Sequence, residues 1–191
     1  MKKIGVTGGI GSGKSVVSAL LSAYDVPVYL ADSEGKRLSN ESPYIRKRLT
    51  DLFGNEIYTG NRLDRPKLAS LIFNDEKLLA KVNKIIHPVV SKDFRKWVRN
   101  QHTELCALES AILYESGFDS EVDVVLMVYA PVELRLTRVV ERDNLSEADV
   151  MKRMNQQMSD ALKRDKADYV IINDGIQPLI PQIETFIKII N

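Results

Sequence analysis

Apolar residues recur along this chain in two rhythms. Residues 2–6 form a short apolar run that ends in a glycine-rich stretch, and residues 15–24 follow with Val16, Val17, Leu20 and Leu21 at helical spacing. Similar short runs lie at 26–30, 103–109, 122–130 and 169–172. None of these four alternates cleanly between apolar and polar positions, as a strand with one wet face would. They read as parallel strands buried on both faces. Helical patterns separate most of them: residues 131–142 begin with Pro131, and residues 178–190 begin with Pro178, where proline fits a first helical turn. Strands alternating with helices predict a doubly wound α/β fold on a five-stranded parallel sheet.

That rhythm breaks twice. Residues 33–102 contain no convincing strand but several helical patterns, among them 66–73 and 77–86, and read as a helical insertion. Residues 144–166 are polar and rich in Arg, Lys, Gln and Met. They open with Ser146 at a candidate N-cap and Asp149 three residues on, the spacing at which each side chain serves the other's backbone. Few large apolar residues anchor this stretch, so a lid over about 138–166 is expected. The whole is read as one domain, with a core of about 1–32 and 103–191.

Composition narrows the classes. At 191 residues the chain is long enough for one substantial core. An apolar share of 44% and a charged share of 28% suit a folded globule and not a disordered or collagen-like chain. With 27 basic and 26 acidic residues, a net charge of +1, no global field gathers polyanions, so nucleic acid is not expected as a partner. Glycines interrupt the first apolar run before a signal-peptide core develops, and no run reaches the roughly 18 to 20 residues that span a bilayer. A cytoplasmic protein without a membrane partner is expected. The single cysteine, Cys106, lies inside an apolar run and reads as a buried, inert thiol.

The chemistry is carried by Gly8-Gly9-Ile10-Gly11-Ser12-Gly13-Lys14-Ser15, which fills every fixed position of the P-loop pattern. It follows a predicted strand and opens a predicted helix. In that placement backbone N–H groups and a helix N-terminus surround a polyphosphate. Lys14 brings a positive charge to the β- and γ-phosphates, and the Ser15 hydroxyl suits Mg²⁺. A nucleoside triphosphate is therefore the expected cofactor. A GTPase would need Asn-Lys-x-Asp to read its base, yet Asn83-Lys84 is followed by Ile85-Ile86.

A kinase needs a carboxylate near the acceptor and cations around the transferred phosphoryl group. Asp32 follows the second predicted strand at the carboxyl edge of the sheet, where doubly wound folds bind ligands. Its plainer role is to cap the next helix. Arg138 and Arg142 lie four apart and share one helical face, as solvated surface arginines often do.

With these residues placed, the chain resembles the dephospho-coenzyme A kinase family. The likeness runs through the P-loop, Val26-Pro27-Val28 and Ala31-Asp32. In the insertion it includes Phe53-Gly54, Leu63-Asp64-Arg65, Phe73 and Asn83 to Pro88. It continues at Glu109, Leu113-Tyr114-Glu115, Arg138, Arg142-Asp143, Gln157 and 167–173. Two positions depart: Ala111 stands where the family has proline, and Val16 where it usually has a hydroxyl residue.

The resemblance implies that ATP phosphorylates the ribose 3′-hydroxyl of dephospho-coenzyme A. Gly9, Ile10, Gly11, Ser12, Gly13, Lys14, Ser15 and Val16 would line the phosphates of ATP. Ser15, and Glu109 through water, would hold Mg²⁺. Asp32 would orient or deprotonate the acceptor, and Arg142, supported by Arg138, would close from the lid. Asn173 would lie by the adenine. Arg65, His87, Glu109 and Leu113 are candidate acceptor contacts. His87 is read as structural or acceptor-binding, and Trp97 and Tyr114 as packing residues. The expected state is a monomer or small homo-oligomer.

Overall fold

The computed structural model describes residues 1–73 and 75–191. These divide into two compact units, one of Met1–Leu30 with Gln101–Asn191 and one of Ala31–Asn100.

The first unit is built on five parallel strands. In chain order they begin with β1 (Lys2–Thr7), helix α1 (Lys14–Ala23) and β2 (Val28–Leu30). The second unit, described below, supplies α2 (Ala31–Glu41), α3 (Pro43–Phe53), β3 (Tyr58–Thr59), β4 (Arg62–Leu63), α4 (Arg65–Ile72) and α5 (Glu76–Arg99). The chain then returns through β5 (Leu105–Glu109), β6 (Val124–Tyr129), α6 (Val132–Asp143), α7 (Glu147–Asn155), α8 (Asp160–Lys166), β7 (Tyr169–Ile172) and α9 (Leu179–Ile190). The sheet order is β2-β5-β1-β6-β7. All four pairings are parallel. The strands lack alternation because both faces are covered: Ile4 and Val6 are fully buried, and so are Cys106, Ala107 and Leu108 in succession. Val17 and Leu21 of α1 meet Ile183 and Phe186 of α9 in one cluster with these strands. Cys106 belongs to this interior, where burial pushes its thiol up to about 11 and leaves it inert.

The glycine-rich loop leaves the carboxyl end of β1, the central strand. Ser110 follows β5 directly, its N–H donating to Val6 O at 3.0 Å. The register pairs Glu109 with Val6 on one side and with Leu30 on the other. Three chain crossings therefore leave the sheet side by side.

The second unit corrects the expectation that 33–102 contains no strand. Tyr58–Thr59 and Arg62–Leu63 pair as an antiparallel hairpin about Gly60-Asn61, with Gly60 at φ 58°. Two residues per strand are too few to show a period, but Gly-Asn between them is a hairpin-turn dipeptide. The Tyr58 ring carries the Arg46 guanidinium 4.7 Å above it, and its hydroxyl donates to Ser39 O at 2.9 Å.

The helix expected over 77–86 runs on to Arg99, through Pro88. Proline removes one backbone donor, at a cost of about 3 kcal/mol in an ordinary helix interior. Burial of Val82, Ile85, Val90 and Phe94 continues the apolar stripe past that point and offsets the loss. Asp75 caps the start of α5, accepting from Leu78 N at 2.8 Å.

His87 lies in this helix, and burial lowers its pKa from the usual 6.5. The unfolded chain then binds a proton more readily than the folded one. Stability contributed by neutral His87 is present above about pH 6.5 and is lost as pH falls towards the lowered folded value. Thermal unfolding followed from pH 7.5 to 5 is expected to show falling stability, with a shallower slope in His87→Gln. Equal slopes in the two proteins would remove His87 as the cause. Among the described residues, no helix is long and apolar enough to cross a membrane.

Candidate active site

The site begins with the loop between β1 and α1. Its glycines allow contacts that a side chain would block. A Cβ at Gly13, whose φ is 93°, would lie 2.1 Å from Asn173 Nδ2, and one at Gly9 would lie 2.5 Å from the Arg135 guanidinium. The loop is thus packed from outside by Arg135 of α6 and by Asn173, the residue after β7.

Lys14 is only 8% exposed, and its Nζ donates to Gly8 O at 3.0 Å and Gly9 O at 3.2 Å. The ammonium is folded back over the loop it belongs to, poised where phosphate oxygens bind in such loops. The reading of Lys14 as a cation on α1 therefore gains a structural side, because the same group ties the loop together. Val16 is half exposed, and its N–H donates to Gly13 O at 3.0 Å.

Ser15 and Glu109 converge, with the hydroxyl 3.5 Å from Glu109 Oε1. Glu109 Oε2 is buried and has no hydrogen-bond partner. An orphaned buried carboxylate oxygen beside a hydroxyl is a set of hard donors, and it suits Mg²⁺ better than a softer ion.

Asp32 lies in the first turn of α2, two residues beyond Leu30 and one inside the helix start at Ala31. It is therefore not the N-cap residue, although its charge still favours the helix N-terminus. Lys36 follows one turn later on the same side of α2, and its carbonyl accepts from Arg65 Nη2 at 2.7 Å. Arg65 is thus tied to α2, the helix that carries Asp32. Asp64 caps α4 beneath it, accepting from Lys67 N at 2.9 Å.

The two arginines expected to act as a pair have separate partners. Arg138 Nη1 donates to Asn173 O at 3.2 Å. The Arg142 side chain is 62% exposed and donates to both oxygens of Asp143, at 2.7 and 3.0 Å. This pairing raises the Arg142 pKa and lowers that of Asp143. The Asn173 side chain turns towards the P-loop, with Nδ2 donating to Ser12 O at 2.9 Å. Leu113 is fully buried, against the backbone of Gly5, and belongs to the core, with no surface to offer a substrate.

Arg135 and Asp160, absent from the sequence reading, and Gln157, named there without a role, complete the loop. Arg135 is 4% exposed, donates from Nε to Ile10 O at 2.9 Å and pairs with Asp160. Ile10 N donates to Gln157 Oε1 at 2.9 Å. The spacing of Arg135 three residues before Arg138 was the only available signal, and many solvated arginines share it. The expected shortage of apolar anchors in the lid is also corrected. Val150 and Met154 of α7 pack on Val139 of α6, with Ile10 and Leu145 against them.

Known proteins resemble this chain along its length. The model of a family described as dephospho-CoA kinase matches residues 2–178. A dephospho-CoA kinase of Bacteroides fragilis is 52% identical over 95% of this chain and 89% of its own. A crystal structure of a Thermus thermophilus protein superposes with a TM-score of 0.85, at 34% identity, over 99% of this chain and 95% of that one. The dephospho-CoA kinase of Campylobacter jejuni shares the fold, with a TM-score of 0.70 at 23% identity, over 100% of this chain and 98% of the other. With the glycine-rich loop, its lysine and the parallel sheet in place, the chain belongs to the dephospho-CoA kinase family.

Proposed function

We propose that this protein transfers the γ-phosphoryl group of ATP to the ribose 3′-hydroxyl of dephospho-coenzyme A, giving coenzyme A and ADP. The observation that carries this reading is the family likeness along the chain, combined with a complete P-loop whose Lys14 is folded onto the loop backbone and whose Ser15 approaches Glu109.

Phosphoryl transfer asks little covalent chemistry of a protein, so the chain's residues act by positioning and by charge. The loop N–H groups of Gly11, Gly13, Lys14 and Ser15 and the N-terminus of α1 bind the β- and γ-phosphates. Lys14 Nζ, already held at the rim of the loop, neutralises charge on them. Ser15 and Glu109 are the residues that would hold Mg²⁺, which when bound would draw off negative charge from the phosphates. Asp32 accepts the proton of the acceptor hydroxyl, or orients that hydroxyl through a hydrogen bond. Arg65, tied to α2 through the Lys36 carbonyl, is suited to an anionic group of the acceptor. His87 serves the acceptor side through packing in α5, in its neutral form. Asn173 holds the P-loop and carries Arg138, and the two border the nucleoside.

One assay decides the reaction. ATP and Mg²⁺ are offered with dephospho-coenzyme A, nucleosides, nucleoside monophosphates or sugars, and any phosphorylated product is identified. Coenzyme A from the first acceptor alone is expected, and a product only from another acceptor would overturn the assignment. In the same assay Asp32→Asn is expected to lose at least about a hundredfold in kcat while ATP affinity stays near normal, since the amide cannot take a proton. Unchanged kcat would leave Asp32 only its place in the first turn of α2.

A further inference from the structure

The turn between α7 and α8 touches two parts of the site that are far apart in sequence. On one side Gln157 Oε1 accepts from Ile10 N at 2.9 Å, and Asp160 pairs with Arg135, whose Nε holds Ile10 O at 2.9 Å. Both backbone groups of Ile10, at the crest of the P-loop, are thereby bound from outside. On the other side Met158 N donates to Glu115 Oε1 at 2.7 Å. Lys163 is fully buried, donates to Ala111 O at 2.6 Å and lies 3.3 Å from Glu115 Oε1. Ala111 is two residues beyond Glu109, the carboxylate that faces Ser15.

A buried lysine and a nearly buried arginine are costly unless paired, and each broken partner leaves an uncompensated charge. Here each cation joins the same short segment to a different loop. We infer that residues 157–163 form a strut that sets the P-loop and the Glu109 loop independently. Gln157, Arg135 and Asp160 are positioning residues for nucleotide phosphates, and Lys163 and Glu115 are positioning residues for the divalent cation. The inference rests on the P-loop being the nucleotide site. It adds that α7, between Asn144 in the left-handed region at φ 52° and Gln157, has its far end tied to the loop the lid would cover. Phosphate in the P-loop and the position of α7 then share one connection, through Ile10.

The test uses the whole chain and a fluorescent, non-hydrolysable ATP analogue, titrated in EDTA and again in Mg²⁺, with thermal unfolding run beside it. Gln157→Met keeps the side-chain volume and removes the acceptor for Ile10 N. It is expected to weaken binding about tenfold in both media. Glu115→Met removes the partner of Lys163 and Met158. It is expected to leave affinity in EDTA within about twofold of wild type and to reduce the gain from Mg²⁺ several-fold. Glu115→Gln keeps an acceptor for Met158 N and is expected to restore part of that gain. If both arms lose affinity in both media in proportion to their loss of stability, the segment is only structural and the strut is overturned. Wild-type affinities in folded Gln157→Met and Glu115→Met would overturn it as well. Because binding needs no acceptor, variants that show this split while the wild-type protein fails to phosphorylate dephospho-coenzyme A would sink the proposed reaction and leave the strut standing.

Discussion

Lys14→Ala is expected to abolish turnover by several orders of magnitude and also to destabilise the fold. The first effect follows from the proposed role of Lys14 at the β- and γ-phosphates, where its charge is needed as negative charge redistributes during transfer. The second follows from burial. Read from sequence, this lysine is a solvent-facing cation whose removal leaves the fold untouched. In the structure it is 8% exposed and donates to Gly8 O and Gly9 O. Removing it leaves the buried Gly8 carbonyl without that donor, while Gly9 O keeps Ser12 N, a loss of about 1–3 kcal/mol. For a chain of this size the midpoint of thermal unfolding should fall by about 2–4 °C for each kcal/mol lost. Steady-state turnover and calorimetry on the purified variant check both parts. A variant that unfolds earlier yet turns over normally would reduce Lys14 to a structural tie.

The second large effect is expected at Arg142. Its guanidinium is committed to Asp143 and mostly exposed, and such a pair is worth about 0–1 kcal/mol. A cation that meets the transferring phosphoryl group is worth a factor of about 10³–10⁵ in kcat. The second energy far exceeds the first, so Asp143 does not hold Arg142 back from a bound nucleotide. Arg142→Ala should lose at least about a hundredfold in kcat with a modest change in KM for ATP, the pattern of a contact made chiefly in the transition state. Arg142→Lys should recover little, because an ammonium lacks the planar fork. Asp143→Asn should stay within a few-fold of wild type. Arg153, 3.6 Å from Asp143, remains to neutralise that carboxylate when Arg142 leaves. A rise in KM alone on Arg142→Ala would make it a ground-state clamp, and unchanged kinetics would return it to solvent.

Local signals explain what was legible. The P-loop is contiguous, so its eight residues are one pattern, and the run of residues 2–6 before it identifies the strand that presents it. The remaining buried strands announced themselves by lacking alternation, and the sheet pairs them in parallel. The position of Asp32 was readable too, two residues past the end of β2 and in the first turn of α2. Even Ser146 was readable as a cap, and its Oγ accepts from Asp149 N at 3.2 Å. The run of α5 past Pro88 was not, because a local rule that proline breaks helices competes with burial of Val90 and Phe94, which only the packed unit supplies.

By itself, then, the sequence determined the layered α/β plan, the phosphate-binding loop and the family likeness, all of which depend on neighbours in the chain or on fixed spacing. Only the tertiary structure decided which charges are buried and whom they serve. Arg135 and Ile10 are 125 residues apart, Ile10 and Gln157 are 147 apart, and Ser15 and Glu109 are 94 apart. Arg135 and Arg142 lie about two turns apart on α6. Arg135 stands between Leu134 and Leu136 and Arg142 between Glu141 and Asp143, but an apolar flank alone does not say which guanidinium the folded chain encloses. Their difference is one of solvation. A guanidinium enclosed by the P-loop and Asp160 must keep its partners or leave a buried charge unpaired, whereas one at the surface exchanges its partner for water at little cost.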